Sequence, residues 1–322
     1  MRTVRMGAHG LEVSRVVLGT AQAAGTWGTI DASAARAAIR YAYDVGITTF
    51  DTAQVYGDAE RLLGQALNVP LRDERERIVI STKGGIAPRT DRPRRGDAAF
   101  LREGIQQSLR RLGVDYVDLF QVHWPDPLTS VDQTAESLHA LLAEGLARHV
   151  GVSNYDVDQL LELNALIPVT AVQLPYNLLD RSVEDTLLPA CRAAGIGVLA
   201  YSPLAAGLLT GRLTPRSRFP ADDWRSGSAD FRGDRLAVHI AVVDRLAAVA
   251  RRLDLSLAQL AVAWLLAQPG VHSAIVGSLS ARNISEAVAA TGAGLSGADL
   301  TEVSAAVAGA LAPGIATPEG TA

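Results

Sequence analysis

Four residues of different chemistry stand where apolar runs give way to polar sequence. Asp51 and Tyr56 lie five residues apart in TTFDTAQVYG, directly after the apolar run from Ile47 to Phe50. Ile78-Val79-Ile80 runs on into Lys83, and Leu119-Phe120-Gln121-Val122 runs into His123. A carboxylate, a phenol, an amine and an imidazole therefore emerge from the ends of separate predicted strands. If those strands are parallel neighbours, the four groups meet in one small volume and can deliver a proton to a developing alkoxide. Hydride transfer to a carbonyl makes such an oxyanion, and each group has a part in protonating it. Tyr56 is the acid, although a phenol of ordinary pKa near 10 is a reluctant donor at neutral pH. A neighbouring Lys83 ammonium favours the phenolate, and Asp51 holds that ammonium by an ion pair. His123 donates to the carbonyl oxygen and aligns it.

The elements that must position these groups follow a regular plan. Strands are predicted near Val16–Leu18, Thr48–Phe50, Ile78–Ser81, Val117–Val122, His149–Val152, Ala171–Gln173, Gly197–Ala200 and Ser273–Val276. Amphipathic stretches lie between them, among them Ala32–Val45, Ala99–Leu112, Thr134–Ala143, Val157–Leu163 and Val183–Ala193. Gly46, Gly113, Gly145 and Gly195 fall where a left-handed C-cap is needed. Ser256 with Gln259 reads as a capping box opening a helix to Ala267. Repeated strand–helix units imply a parallel sheet with right-handed crossovers. Eight of them favour closure into a (β/α)8 TIM barrel.

Residues 1–310 are read as one such domain. Its first sixteen residues form a β-hairpin that turns near His9-Gly10 and covers the barrel bottom. The segment 211–235 is polar and rich in Pro, Gly, Arg and Asp. It reads as a long structureless loop over the face where barrel enzymes keep their chemistry. The tail 311–322 is expected to be disordered.

Composition narrows the function classes. The chain has 322 residues, 48% of them apolar, and a net charge of −4, so nucleic-acid binding is not expected. One cysteine, Cys191, excludes an internal disulfide and a cysteine-rich metal site, and it reads as a buried small hydrophobe. No metal site is expected, since no histidine pair has zinc spacing. The first residues lack the apolar core of a signal peptide, and no window is long and apolar enough for a membrane span. A cytoplasmic protein acting on a small molecule, with no membrane partner, is the expectation. Gly195-Ile-Gly197-Val-Leu-Ala200 fits a GxGxxA pattern, but it precedes a strand and is set aside as a dinucleotide fingerprint.

The chain resembles the aldo-keto reductase superfamily. The resemblance rests on FDTAQVYG, STKGG and LFQVHWPD, and continues in GVSN, VQLPYN, AYSPLAAGLLTGR and IVGSLSARNISEA, in the family's order over nearly the whole chain. It implies an eight-stranded barrel, NADPH bound without a Rossmann domain, and a catalytic tetrad of Asp51, Tyr56, Lys83 and His123. It also implies that Ser153, Asn154 and Gln173 bond the nicotinamide carboxamide and that Tyr201 stacks on its ring. Ser202, Leu204, Gly207 and Arg212 then surround the pyrophosphate. Gly277, Ser278, Leu279, Asn283 and Glu286 receive the adenosine phosphate at a helix N-terminus, a natural anion site. Gly19 and Thr20 complete the expected cofactor contacts. The chain departs from the family at Asn283, where Arg or Gln is frequent, and at Ala287, where Asn is usual. Arg282 stands next to Asn283 but about 100° around the helix. NADPH is expected and NADH possible.

Trp27 and Trp124, which follow predicted strands, and Trp224 in the long loop are candidates for the substrate pocket. Arg89, Arg92, Arg94 and Arg95 cluster after the third strand, either as a solvated loop or as a preference for acidic substrates. The leading expectation is reduction of an aldehyde or ketone. Alternatives are a sugar or alcohol dehydrogenase running in reverse and a nucleotide-sensing regulatory subunit.

Overall fold

The computed structural model describes residues 1–308 except 26, 29 and 89. Eight parallel strands close into a barrel: β3 (Val16–Gly19), β4 (Thr49–Asp51), β5 (Val79–Gly84), β6 (Val117–Val122), β7 (Ala147–Ser153), β8 (Ala171–Pro175), β9 (Gly197–Tyr201) and β10 (Ser273–Gly277), with β10 pairing back onto β3. Two earlier strands, β1 (Thr3–Met6) and β2 (Leu11–Ser14), form an antiparallel hairpin with Thr3 opposite Ser14. The hairpin plugs the bottom of the barrel. Met6 is fully buried and packs with Val13 against Val17, Val79, Leu119, Ala171, Leu199 and Ile275 of the barrel interior. Gly197 is required there, since a Cβ would lie 2.0 Å from the Met6 Cγ. The predicted barrel and hairpin are both present, and the predicted tail from 311 lies outside the described residues.

Parallel barrel strands are covered on both faces, so they read as near-continuous apolar runs. Their side chains nevertheless alternate between barrel interior and helical shell. In β5, Val79 faces the interior cluster and Ile80 the outer core. In β6, Leu119 faces inward and Phe120 outward. The inward positions two and four residues further along, Ser81, Lys83, Gln121 and His123, are polar and buried. The interior thus changes from apolar at the plugged end to polar at the C-terminal end, and that change places the site.

The shell is built from α1 (Ala32–Asp44), α2 (Ala59–Ala66), α3 (Asn68–Asp73), α4 (Ala98–Leu112), α5 (Val131–Ala143), α6 (Val157–Leu166), α7 (Leu187–Ala194), α8 (Gly233–Arg252), α9 (Leu257–Ala267), α10 (Ala281–Ala290) and α11 (Gly297–Val307). The predicted capping box at Ser256 and Gln259 opens α9, and further boxes open α5, α6 and α11. Gly46, Gly113, Gly145 and Gly195 all have positive φ, as their cap role demands. Gly64 lets α2 meet α4 closely, since a Cβ would come within 2.3 Å of the Leu112 carbonyl oxygen.

Two expectations need correction. The helix predicted from Val183 starts only at Leu187; turns precede it, and Thr186 makes no side-chain cap bond. The segment 211–235 is not structureless. It contains single 3-10 turns at Trp224–Ser226 and Ala229–Phe231, and α8 begins at Gly233. Cys191 is fully buried, and burial pushes its thiol up to about 12. No described helix is long and apolar enough to cross a membrane.

Candidate active site

The ends of β4, β5 and β6 converge as the alternation requires. Lys83 Nζ donates to Asp51 Oδ1 at 2.5 Å and to the Thr52 carbonyl oxygen at 3.0 Å, with the lysine side chain fully buried. Asp51 Oδ2 accepts from Ser81 Oγ and from Gln173 Nε2, both at 2.9 Å. Gln121 Nε2 in turn donates to Ser81 Oγ at 2.8 Å. The carboxylate is held by a cation and two neutral donors, so its orientation is fixed. Lys83 Nζ stands 5.2 Å from the centre of the Tyr56 ring. The Tyr56 and His123 rings meet edge to face, 5.8 Å apart at 82°. The four predicted groups are therefore one cluster.

His123 is almost wholly buried, and neither ring nitrogen has a hydrogen-bond partner among the described residues. Burial, and secondly the charge of Lys83, hold its pKa well below the ordinary 6.5. The imidazole is neutral at physiological pH and carries one N–H that no described residue receives. An unmet buried donor of this kind costs stability and marks a place for an acceptor from outside.

A second network straps the Tyr56 loop to β5. Glu60 on α2, fully buried, accepts from Thr82 Oγ1 at 2.8 Å and from Arg111 Nη1 at 3.1 Å. The Gln54 N–H donates to the Lys83 carbonyl at 3.1 Å. The Thr82 side chain and the Lys83 carbonyl thus fasten one strand to α2 and to the loop that bears Tyr56.

A cleft of about 210 Å3 opens above the cluster. Asp51 and Tyr56 form part of its floor, and Gly19, Gln173, Tyr201, Ser202, Leu204, Gly207, Gly277 and Asn283 line it as well. It shares Leu204, Thr210 and Asn283 with an adjoining hollow of about 120 Å3 lined by Arg212, Arg282 and Glu286 at the start of α10. The two hollows make one groove from the barrel mouth to a helix N-terminus. Its middle is lined by backbone in unusual conformations: Ser202 and Ala206 have φ of 56° and 52°, and Gly207 has 100°. Such strain persists where surrounding structure enforces it, often at ligand clamps.

The other predicted residues, Trp27 apart, do not line the groove. Thr20 is buried, and its Oγ1 donates to the Asp51 carbonyl at 3.1 Å. Asn154, at φ 62°, donates through Nδ2 to the His123 carbonyl and to Ser153 Oγ, each at 3.1 Å, and its Oδ1 accepts from the Tyr201 hydroxyl at 2.9 Å. Ser278 is buried and accepts from the Ser280 N–H, while Leu279 packs on the outer core. Trp27 lines the cleft and meets Trp224 edge to face at 5.5 Å. Trp224 meets Phe231 edge to face, as Phe231 meets Phe219, so the long loop is anchored by an aromatic cluster. Trp124 is not part of that cleft's lining.

Sequence reasoning missed Ser81, Gln121 and Arg225. Ser81 and Gln121 had a signal, since each is polar at an inward position of an otherwise apolar strand. Arg225 had none. It lines the cleft, binds Asp223, donates to the Ala206 carbonyl at 3.1 Å and lies over Trp27, all by tertiary contact. Among the described residues no group of three or more His, Cys, Asp or Glu could hold a metal ion.

Residues 15–308 match the profile of the Aldo/keto reductase family. The chain belongs to the aldo/keto reductase family. It is 37% identical over 274 residues to the aldo-keto reductase YhdN of Bacillus subtilis (strain 168), covering 84% of this chain and 82% of that one. It is 33% identical over 320 residues to the NADH-specific methylglyoxal reductase of Escherichia coli (strain K12), covering 94% and 97%. The solved glycerol dehydrogenase AKR11B4 of Gluconobacter oxydans superposes with a TM-score of 0.86 at 32% identity, over 98% of both chains. This aldo/keto reductase is accordingly an oxidoreductase of a family that uses nicotinamide cofactors on small carbonyl compounds.

Proposed function

We propose that the protein reduces an aldehyde or ketone to the alcohol with NADPH as the favoured reductant, Tyr56 acting as general acid. The observation that carries this reading is the buried Asp51–Lys83 pair beside the Tyr56 ring, with a neutral His123 against the same ring. The groove fits a dinucleotide: it has strained and glycine backbone along its middle and a helix N-terminus at its end. Ser153, Asn154 and Gln173 would hold the nicotinamide amide and Tyr201 its ring. Ser202, Leu204, Gly207 and Arg212 would hold the pyrophosphate, and Gly277, Arg282, Asn283 and Glu286 the adenosine end. When bound, the reduced nicotinamide supplies the two electrons and the hydrogen that the carbonyl carbon receives.

The protein's own groups do the rest. His123 gives its one free N–H to the carbonyl oxygen, which fixes the substrate and stabilises the charge that grows there. Tyr56 passes its proton to that oxygen. The ammonium of Lys83 offsets the negative charge left on the phenol, and Asp51 keeps the ammonium in place. Trp27, with Trp224 behind it, forms an apolar wall that limits water at the reacting centre. Two guanidiniums overlook the far hollow: Arg212 bonds Asn283 Oδ1 at 3.0 Å, and Arg282 bonds Glu286 at 3.2 Å. They favour a 2′-phosphate, although the Escherichia coli relative is NADH-specific by name. The name of the glycerol dehydrogenase relative supports the reverse direction as a second reading, since the same proton path serves alcohol oxidation.

The test is nicotinamide consumption by pure protein with a panel of simple aldehydes. Tyr56→Phe should lower kcat by about 10²–10⁴-fold while NADPH still binds. No turnover of any carbonyl, or full activity of Tyr56→Phe, would overturn the proposal. A dissociation constant for NADP less than tenfold below that for NAD, about 1.4 kcal/mol, would remove the NADPH preference alone.

A further inference from the structure

The arginines after β5 are not equivalent. Arg92 donates to Asp126 at 2.6 Å, and Arg95 to Asp97 at 2.7 Å, so both charges are matched. Arg89 lies outside the described residues. Arg94 has no acidic partner among them; its guanidinium lies over the Trp124 ring, 4.7 Å from the centre. Trp124 is the residue after His123, and its own Nε1 is buried with no hydrogen-bond partner among the described residues.

The position of Arg94 is set by backbone at the C-terminal rim of the barrel. Arg94 pairs with Ile86 in an antiparallel bridge, and the Arg95 N–H donates to the Gly85 carbonyl at 2.8 Å. Gly85, two residues beyond Lys83, has φ of 92°, and a Cβ there would lie 3.1 Å from the Arg95 carbonyl oxygen. The loop is therefore folded back tightly over the end of the strand that carries Lys83. His123, Trp124 and Arg94 are donors whose capacity the described residues leave unused: an imidazole N–H, an indole N–H and a guanidinium. Arg94 rests on the ring of the residue next to His123, so its guanidinium and the imidazole belong to the same rim of the barrel.

Resting on the proposed carbonyl reduction, we infer that the substrate is an oxo acid of short reach, its carboxylate taken by Arg94 at the rim. The guanidinium fork matches a carboxylate in two parallel bonds. Stacking on Trp124 keeps the fork pre-formed, so little order has to be gained on binding.

The experiment compares 4-oxobutanoate with its methyl ester, using NADPH and NADH, in the wild type, Arg94→Met and Arg94→Lys. Methionine keeps apolar cover on Trp124 without charge; lysine keeps charge without the fork. The wild type should favour the acid over the ester by at least tenfold in kcat/KM, about 1.4 kcal/mol. In Arg94→Met that ratio should collapse toward one through KM for the acid, with Arg94→Lys between. Independently of turnover, calorimetry on the wild type should show butanoate binding more tightly than butanamide, and this reading decides alone if the methionine variant does not fold. Reduction of the ester without preference for the acid, or a preference that survives Arg94→Met, overturns the inference and leaves carbonyl reduction standing. Failure of both compounds to react with either cofactor, while the panel of simple aldehydes is reduced, likewise overturns the inference alone; failure of the whole panel overturns carbonyl reduction itself, and the oxo-acid assignment with it.

Discussion

The Asp51–Lys83 pair makes a prediction in which stability and activity part company. Both side chains are buried, to 4% and 0% exposure, and they meet at 2.5 Å. Lys83→Met would leave the Asp51 carboxylate with Ser81 Oγ and Gln173 Nε2, two neutral donors at 2.9 Å, and no ion-pair partner among the described residues. Deleting one member of a buried pair costs about 3–5 kcal/mol, because an uncompensated charge remains in a medium that solvates it poorly. Asp51→Asn strands the ammonium against the Thr52 carbonyl at 3.0 Å and an amide, and should cost about as much. The double variant holds no charge at that spot. Replacing a whole buried pair by neutral groups is often nearly neutral, so it should lie within about 2 kcal/mol of the wild type. The coupling between the two sites should therefore exceed about 2 kcal/mol, large for a double-mutant cycle. Equilibrium urea unfolding, followed by the fluorescence of the four tryptophans, measures it. Turnover should fall at least about 100-fold in all three variants, including the one whose stability is recovered. Additive destabilisation, with the double variant as unstable as the sum of the singles, would refute the reasoning, as would a Lys83→Met protein as stable as the wild type.

Two further outcomes follow from burial and packing. His123, His149, His239 and His272 are all held below the ordinary 6.5, chiefly by burial. Below that pH the unfolded chain binds protons that the folded one does not, so stability should fall as pH drops from 7 toward 5.5, by at most about 1.4 kcal/mol per pH unit for each histidine. His123→Gln should flatten the slope in urea titrations; an unchanged slope counts against a neutral buried imidazole at that position. Gly64→Ala should lower stability by about 1–3 kcal/mol, because its Cβ would press on the Leu112 backbone at 2.3 Å. A urea midpoint equal to that of the wild type would show that α2 can shift at little cost.

The strands were legible because a barrel strand is buried on both faces and reads as an apolar run whatever follows it. The clustering of the candidate site was legible because Asp51, Lys83 and His123 interrupt or end such runs. The helices were less evenly legible. α4 and α9 announce themselves by periodicity and a cap, but α2 is short, runs almost directly into α3, and Asp58 before it makes no side-chain cap bond. At Val183 the apolar pattern continues from the helix into turns, because apolar turn residues are buried by neighbours and not by their own element. The long loop was misread for the same reason in reverse. Phe219, Trp224 and Phe231 are ordered by one another and by Trp27, nearly two hundred positions away in the chain, and no local pattern encodes that contact.

Packing also explains why the proposed catalytic groups need no device of their own to face the cleft. Inward and outward positions in β5 and β6 are fixed by Val79 and Leu119 filling the barrel, and by Ile80 and Phe120 filling the shell. A slip of one residue would turn Ile80 and Phe120 into the polar upper layer and drive Lys83 and Gln121 into the apolar shell. Lys83 would leave Asp51, the partner of its ammonium, and the lower layer would lose the cover of Met6 and Val13. Glu60 makes the same demand from outside, because its bond to Thr82 at 2.8 Å exists only in the native register. The side chains that exclude water at one end of the barrel therefore set the aim of those that would handle a proton at the other.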